Sequence, residues 1–259
     1  MKLNVVYNKN IPNYLEYLSE IERILIDKRI EFKTFELDLL NCYGDFTLVL
    51  GGDGTLLKTA RFYSNYQTPV LGINIGRLGF LSQQEPIANL IESIIEGNYY
   101  LEERMMLSSL DSVALNDFVI KGCDSSRTSK LYLEINGKEV CDYIADGLII
   151  STPTGSTAYG LSAGGPVIYP TMDAISIVPI CPHTLNARPL VVPVTEVITV
   201  KSGDKLLSVS IDGYESKSCV EKITIKNAPQ KAILAFLNKG RFYTVLRNKL
   251  HWGISPKAY

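Results

Sequence analysis

Gly51, Gly52, Asp53, Gly54 and Thr55 put three glycines, one carboxylate and one hydroxyl into consecutive positions. Residues 46–50 before them are a short apolar run with β-branched members, the pattern of a buried strand. Residues 56–63 after them read as a helix. Glycine has no Cβ, so a strand entering a helix through Gly51 and Gly52 brings backbone N–H groups close to a phosphate. Gly51, Gly52 and the hydroxyl of Thr55 are therefore the candidates for phosphate binding. A carboxylate repels phosphate, so Asp53 is expected to face a hydroxyl, a metal ion or a proton in transit. The alternative is a plain strand–turn–helix corner in which the glycines only satisfy backbone geometry and Asp53 caps the helix. These residues alone leave both readings open.

Three further stretches carry chemistry-bearing residues. Asn116 and Asp117 lie between apolar Leu115 and Phe118. They are either a strand end in water or a pair of adjacent acceptors for the vicinal hydroxyls of a ribose. Residues 145–159 run from a buried strand into a turn dense in hydroxyls (Ser151, Thr152, Thr154, Ser156, Thr157), with Gly155 opening a helix. An N-capped helix after a proline turn does not account for that density. A polyol- or phosphate-binding surface does, with Tyr159 available to stack on a flat base. Residues 180–190 form an irregular loop with His183 and Arg188. A structural hydrogen bond is the expectation for His183, and a carboxylate or carbonyl partner for Arg188.

The elements that must position these residues fall into two textures. Strands at 2–7, 30–37, 46–50 and 70–75 alternate with helices from Asn13, from residue 56 to about Tyr66, and over 86–96. Asn13 and Glu16 are spaced as a relative of the capping box. This alternation predicts a parallel sheet with helices on its faces. From about Tyr99 short strands follow one another, at 113–120, 130–135, 138–143, 147–151, 174–180, 196–201, 205–211 and 220–226. Asn136-Gly137 marks a two-residue hairpin and Ser202-Gly203-Asp204 another tight turn. Only 156–164 reads as helical there. The tail from Gly240 returns to helical spacing through Phe242, Leu246 and Leu250. The expected architecture is an N-terminal α/β Rossmann-like domain (1–100 plus 238–259) followed by a β-sandwich domain (101–237). The C-terminal helix returns to the first.

Composition narrows the function classes. The chain has 259 residues and a net charge of −1, which gives no global reason to expect nucleic-acid binding. No stretch approaches membrane-spanning length, and the start does not read as a signal peptide. Five dispersed cysteines fit reduced thiols and a cytoplasmic setting. Two histidines argue against a histidine-built zinc site. There is no Walker-type loop, no G-x-G-x-x-G after the first strand and no nucleophile elbow.

Together these stretches resemble the NAD kinase family. Gly51 to Thr55 is similar to that family's GGDGT signature, which diacylglycerol, sphingosine and 6-phosphofructokinases share loosely. Its company narrows the likeness: residues 74–81, Asn116-Asp117, Asp146-Gly147, residues 152–159, Gly164-Gly165-Pro166, residues 182–185 and the ending 246–253. The resemblance implies phosphorylation of the adenosine ribose 2′-hydroxyl of NAD by ATP, or by polyphosphate, to give NADP. Asp53 would be the general base, with Gly54 beside it on the dinucleotide. Asn116 and Asp117 would hold ribose hydroxyls, Asp117 standing where most members have glutamate. Asp146, Thr154, Thr157, Ala158, Tyr159, Gly160, Leu161, Ser162 and Cys181 would line the NAD site. Mg²⁺ or Mn²⁺ would arrive with ATP, and a homodimer or homotetramer is expected. Two alternatives remain at this point: a lipid kinase sharing the signature, which accounts for 46–57 alone, and a non-catalytic dinucleotide sensor.

Overall fold

A computed structural model describes residues 1–76, 78–124, 128–183, 186–203 and 206–253, the last range without the side chains of 215 and 217–219. The expectations that involve Arg77, Thr184, Leu185, Asp204, Lys205 and 254–259 lie outside the described residues. The elements in chain order are β1 (Lys2–Tyr7), α1 (Tyr14–Asp27), β2 (Glu31–Glu36), β3 (Phe46–Leu50), α2 (Asp53–Tyr63), β4 (Val70–Ile73), α3 (Ile87–Glu96) and β5 (Tyr100–Arg104). There follow β6 (Leu107–Ser109), β7 (Ser112–Ala114), β8 (Asp117–Gly122), β9 (Ser129–Ile135), β10 (Lys138–Ala145), β11 (Gly147–Ser151), α4 (Tyr159–Ser162), β12 (Ala174–Ile180) and β13 (Leu190–Pro193). The chain ends with β14 (Ile198–Ser202), β15 (Leu207–Ile211), β16 (Glu215–Val220), β17 (Lys222–Asn227), β18 (Ala232–Phe236) and α5 (Arg241–Leu250).

The chain divides into two compact units, Met1–Glu103 with Ala232–Tyr259, and Arg104–Lys231. The sequence-based boundaries at 100/101 and 237/238 shift accordingly. The cause is β18, which the apolar run 232–236 did not announce as a strand of the first unit. Its Leu234 pairs in parallel with Val70, so the chain has already re-entered the first sheet before the C-terminal helix begins.

In the first unit six strands are ordered β2-β1-β3-β4-β18-β5. The pairings β1 with β2, β1 with β3 and β3 with β4 are all parallel. β3 is buried along its whole length, as expected of a central parallel strand covered on both faces. α1 and α3 contribute Leu18, Ile21, Leu25, Leu90, Ile91 and Ile94 to a core with Leu3, Val5, Leu48 and Leu71. Asn13 does not form a capping box. It adopts a left-handed conformation with φ 57° and makes no side-chain cap bond, so the helix starts after a backbone turn instead.

The second unit holds two six-stranded sheets, β10-β9-β14-β17-β6-β7 and β13-β12-β11-β8-β15-β16. Strand alternation supplies their common core: Leu131 and Leu133, Ile198 and Val200, Ile223 and Ile225 meet Phe118 and Ile120, Leu148 and Ile150, Val209 and Ile211. Asn136 and Gly137 both have positive φ, as the predicted type I′ hairpin requires. The expected single strand over 113–120 is two strands, broken at Leu115 and Asn116. The helix expected over 156–164 is a 3₁₀ turn at Gly155–Thr157 followed by the one-turn α4. No helix among the described residues is long and apolar enough to cross a membrane.

Gly72 sets how closely α2 lies against β4. A Cβ at this position would stand 2.2 Å from Leu56 Cδ1 and 3.2 Å from the Ser82 backbone. Gly72→Val is therefore expected to destabilise the fold by about 1–3 kcal/mol through overpacking, read as a lower urea midpoint.

Candidate active site

The first unit opens a cavity of about 310 Å³ lined by Ile11, Gly51, Gly52, Asp53, Asn74, Ile75, Gly76, Gly79 and Lys249. Three of its walls follow the ends of β1, β3 and β4. The chain leaves β1 toward β2 on one side, while β3 lies on the other. That is the topological switch at which open parallel sheets bind ligands.

Asp53 does not cap its helix. Gly52 is the N-cap residue, and no side-chain cap bond forms there. The carboxylate instead reaches residues 80–82. Oδ2 accepts the Phe80 N–H at 2.7 Å. Oδ1 accepts the Leu81 and Ser82 N–H groups, each at 3.1 Å, and the Ser82 hydroxyl at 2.9 Å. Gly79 makes this approach feasible, because a Cβ there would lie 2.1 Å from Asp53 Oδ1. The carbonyls of the same loop face Arg241 of α5, whose guanidinium donates to Phe80 O at 2.6 Å and Gly79 O at 2.9 Å, and also to Ser82 O. Gln83 then ties the loop to β18, donating to Ala235 O at 3.3 Å and accepting the Leu237 N–H at 2.8 Å. Lys249 Nζ stands 3.8 Å from Asp53 Oδ2.

Of the phosphate-binding candidates, Gly51 and Gly52 line the cavity. Thr55 is buried beneath them, its hydroxyl accepting the Asn8 amide at 3.1 Å. A Cβ on Gly51 would collide with Thr55 at 2.5 Å, so Thr55 sets the shape of the glycine turn. Gly54 is the exposed second residue of α2.

The second unit carries a cavity of about 340 Å³, lined by Asn116, Asp117, Val119, Lys121, Ala158, Tyr159, Ser208, Ser210, Asp212 and Gly213. Alternation explains the set. Phe118, Ile120, Leu207, Val209 and Ile211 point into the sandwich, so Asp117, Val119, Lys121, Ser208 and Ser210 share the outer face. The break in the strand at 115–116 has an electrostatic cause. Asp212, in a left-handed conformation at φ 49° before Gly213, accepts the N–H groups of Leu115, Asn116 and Asp117 at 2.9, 2.7 and 3.0 Å. Asp117 is only 5 % exposed. Its burial, and then the charge of Asp212, push its carboxyl up to about 7.

The hydroxyls of 151–157 are used mostly inside the protein. Ser151 and Thr152 donate to Asn116 O and Leu115 O. Ser156 donates to Pro153 O and accepts the Ile168 N–H, and Thr157 donates to Thr154 O. Buried Thr154 accepts Arg104 Nη1 at 3.3 Å. Their density therefore reflects a stapled turn, which presents Ala158 and Tyr159 to the cavity. Gly160, Leu161 and Ser162 continue through α4. Asp146 and Cys181 are exposed at the other end of β11 and do not line this cavity. There the Asp146 N–H donates to Ile180 O at 3.0 Å. His183 is also exposed, its N–H donating to Ile144 O, and Arg188 donates to Ala187 O.

Sequence reasoning missed Lys121, Ser208, Ser210, Arg241 and Lys249. A period-two reading of β8 and β15 outward from Asp117 was the available signal for the first three. Asp117 also predicts a pH effect on stability. Its folded value lies above the ordinary carboxylate value, so its contribution is fully present below about pH 4 and is lost as pH rises through about 7. Asp117→Asn removes that titration. Its stability relative to wild type should rise by about 2 kcal/mol between about pH 5 and about pH 8, measured by urea unfolding at each pH.

Comparison with known proteins matches the ATP-NAD kinase N-terminal domain model over residues 37–99 and the ATP-NAD kinase C-terminal domain model over residues 115–235. An NAD kinase of Psychrobacter arcticus is 37% identical across 98% of this chain and 80% of its own length. Among solved structures, an NAD kinase from Archaeoglobus fulgidus in complex with ATP superposes with a TM-score of 0.80 at 28% identity, covering 95% of this chain and 97% of that one. A yeast NADH kinase complexed with NADH gives 0.86 at 25% identity, covering 100% of this chain and 90% of that one. A lipid-kinase reading confined to the glycine signature does not account for a match that continues through residue 235. The chain belongs to the NAD kinase family, and its reaction is the phosphorylation of NAD.

Proposed function

We propose that ATP is the phosphoryl donor, that the 2′-hydroxyl of the adenosine ribose of NAD is the acceptor, and that Asp53 is the general base. The observation that carries this reading is the state of the Asp53 carboxylate. Four donors from residues 80–82 fix its orientation at the wall of a glycine-lined cavity, and three of them fall on Oδ1. A carboxylate offers about four lone-pair sites, so Oδ2 keeps room for a hydroxyl proton. The 2′-oxygen attacks the γ-phosphorus, its proton passes to Asp53, and the electron pair of the breaking bond leaves with ADP. Such a transfer needs positioning and charge neutralisation more than covalent help.

In the second unit the proposed dinucleotide contacts are Asn116, Asp117, Ala158 and Tyr159, all on one cavity. Gly54, Asp146, Thr154, Thr157, Gly160, Leu161, Ser162 and Cys181 remain proposed contacts on the resemblance. Of the phosphate-binding candidates, the Gly52 amide would receive phosphate with Thr55 beneath it, while Gly51, whose N–H already donates to Ile73 O at 3.0 Å, would contribute by its lack of a Cβ. Mg²⁺ or Mn²⁺ would neutralise phosphate charge. Such an ion would be carried in by the nucleotide and held largely by phosphate and water. Assembly as a homodimer or homotetramer is the expected state, read by light scattering.

Asp53→Asn should lower kcat by about 10²–10⁴-fold while NAD and ATP still bind, assayed as NADP formation. Undiminished turnover would remove Asp53 from the role of base. Ribose hydroxyls donate to the ionised form of Asp117, so the KM for NAD should fall as pH rises through about 7. Asp117→Asn should flatten that dependence.

A further inference from the structure

α5 sends Lys249 into the cavity that holds Asp53, and it is the one cation among the described residues lining that cavity. We propose that Lys249 is a catalytic residue whose ammonium pairs with the transferring phosphoryl group. The inference rests on the reading that phosphoryl transfer takes place at Asp53.

The geometry supports it in three ways. First, Lys249 Nζ is 3.8 Å from Asp53 Oδ2, the carboxylate oxygen with only one backbone donor. An acceptor hydroxyl bound to that oxygen lies about 3 Å away, and phosphorus lies a further 3 Å or so beyond in a near-attack arrangement. A cation tethered beside the base oxygen by a flexible four-carbon stem therefore reaches an equatorial phosphoryl oxygen. Second, Phe80 orients both partners. Its N–H holds Asp53 Oδ2, while its ring lies 5.2 Å from Lys249 Nζ. Third, the other polar groups of the lining are amides and carbonyls of glycine-rich turns. The Gly51 and Gly76 N–H groups already donate to Ile73 O and Asn74 Oδ1, amides carry no net charge to neutralise phosphate, and the transferring group spreads negative charge over its equatorial oxygens. Lys249 forms no bond and gives up no proton in the step. It exchanges a long contact with Asp53 for one with phosphate, which leaves Oδ2 to the acceptor hydroxyl.

The test compares Lys249→Ala, Lys249→Met and Lys249→Arg with Asp53→Asn in the full chain. We expect Lys249→Ala to lower kcat by about 10²–10³-fold, with the KM for NAD changed less than about threefold. Lys249→Met keeps the stem over Phe80 and should lose as much. Lys249→Arg should keep more of the rate, and ethylammonium should restore Lys249→Ala at least about tenfold, because a charge of the right size re-enters the gap. ATP titrated into the variants without NAD should bind more weakly to Lys249→Ala and Lys249→Met than to wild type. Full kcat in Lys249→Met, or a loss confined to the KM for NAD, would overturn the proposal. If Asp53→Asn keeps its rate while Lys249→Ala loses it and is rescued by the amine, the base assignment falls and the lysine assignment stands.

Discussion

A carboxylate that takes three successive backbone amides organises the first unit. The N–H groups of Phe80, Leu81 and Ser82 all point at Asp53, and buried N–H groups without partners would be costly. The turn after β4 is therefore bound to the first residue of α2. The carbonyls of that turn face Arg241, and Gln83 completes the join to β18. Opposite charges on the two faces of one loop give it little freedom. This is useful in a site where a carboxylate must meet a hydroxyl with small error. The lack of a side chain at Gly79 is the steric condition for all of it, since any Cβ would occupy the space of Asp53 Oδ1.

The second unit repeats the device with another carboxylate. Asp212 gathers the amides of Leu115, Asn116 and Asp117, which removes those groups from the sheet ladder and breaks the strand there. The break turns Asn116 and Asp117 toward the outer face. The fixed charge of Asp212 and the burial of Asp117 then act together on the Asp117 carboxyl, which titrates near neutrality. A ligand hydroxyl donating to Asp117 would favour its ionised form. The stapled turn at 151–157 belongs to the same construction. Gly155 lies against the backbone of Asn116, where a Cβ would come within 2.2 Å of its carbonyl oxygen. The hydroxyls on either side bind carbonyls of 115 and 116.

C-terminal segments finish what the motifs begin. β18 joins the first sheet and α5 follows it, carrying Arg241 to the carbonyl side of the 79–82 loop and Lys249 to the cavity. A chain cut before β18 would retain the glycine signature and lose the groups that steady its carboxylate. The two residues also divide the work by chemistry. The planar guanidinium suits several fixed carbonyls, while the compact ammonium on its flexible four-carbon stem suits a partner that comes and goes.

Local patterns were sufficient for the alternating β/α texture of the first hundred residues, the hairpin at Asn136-Gly137, the alternation within β9 and β15 and the continuously buried β11. In each case the deciding physics acts within a few residues: hydrophobic period, positive φ, the missing Cβ of glycine. The family resemblance was legible for a similar reason, since its signatures are contiguous. Other features depended on partners far along the chain. Whether Asp53 capped its helix or reached elsewhere was settled by amides 27 to 29 residues away. Whether 113–120 was one strand or two was settled by Asp212, nearly a hundred residues on. The hydroxyls of 151–157 looked free for a ligand because their carbonyl partners at 115 and 116 are invisible to a local reading. Arg241 and Lys249 carried no local signal, because their partners lie at 79–82 and Asp53, far back along the chain. A sequence states which groups can donate and accept; only the folded chain decides which of them are already satisfied and which still face a cavity.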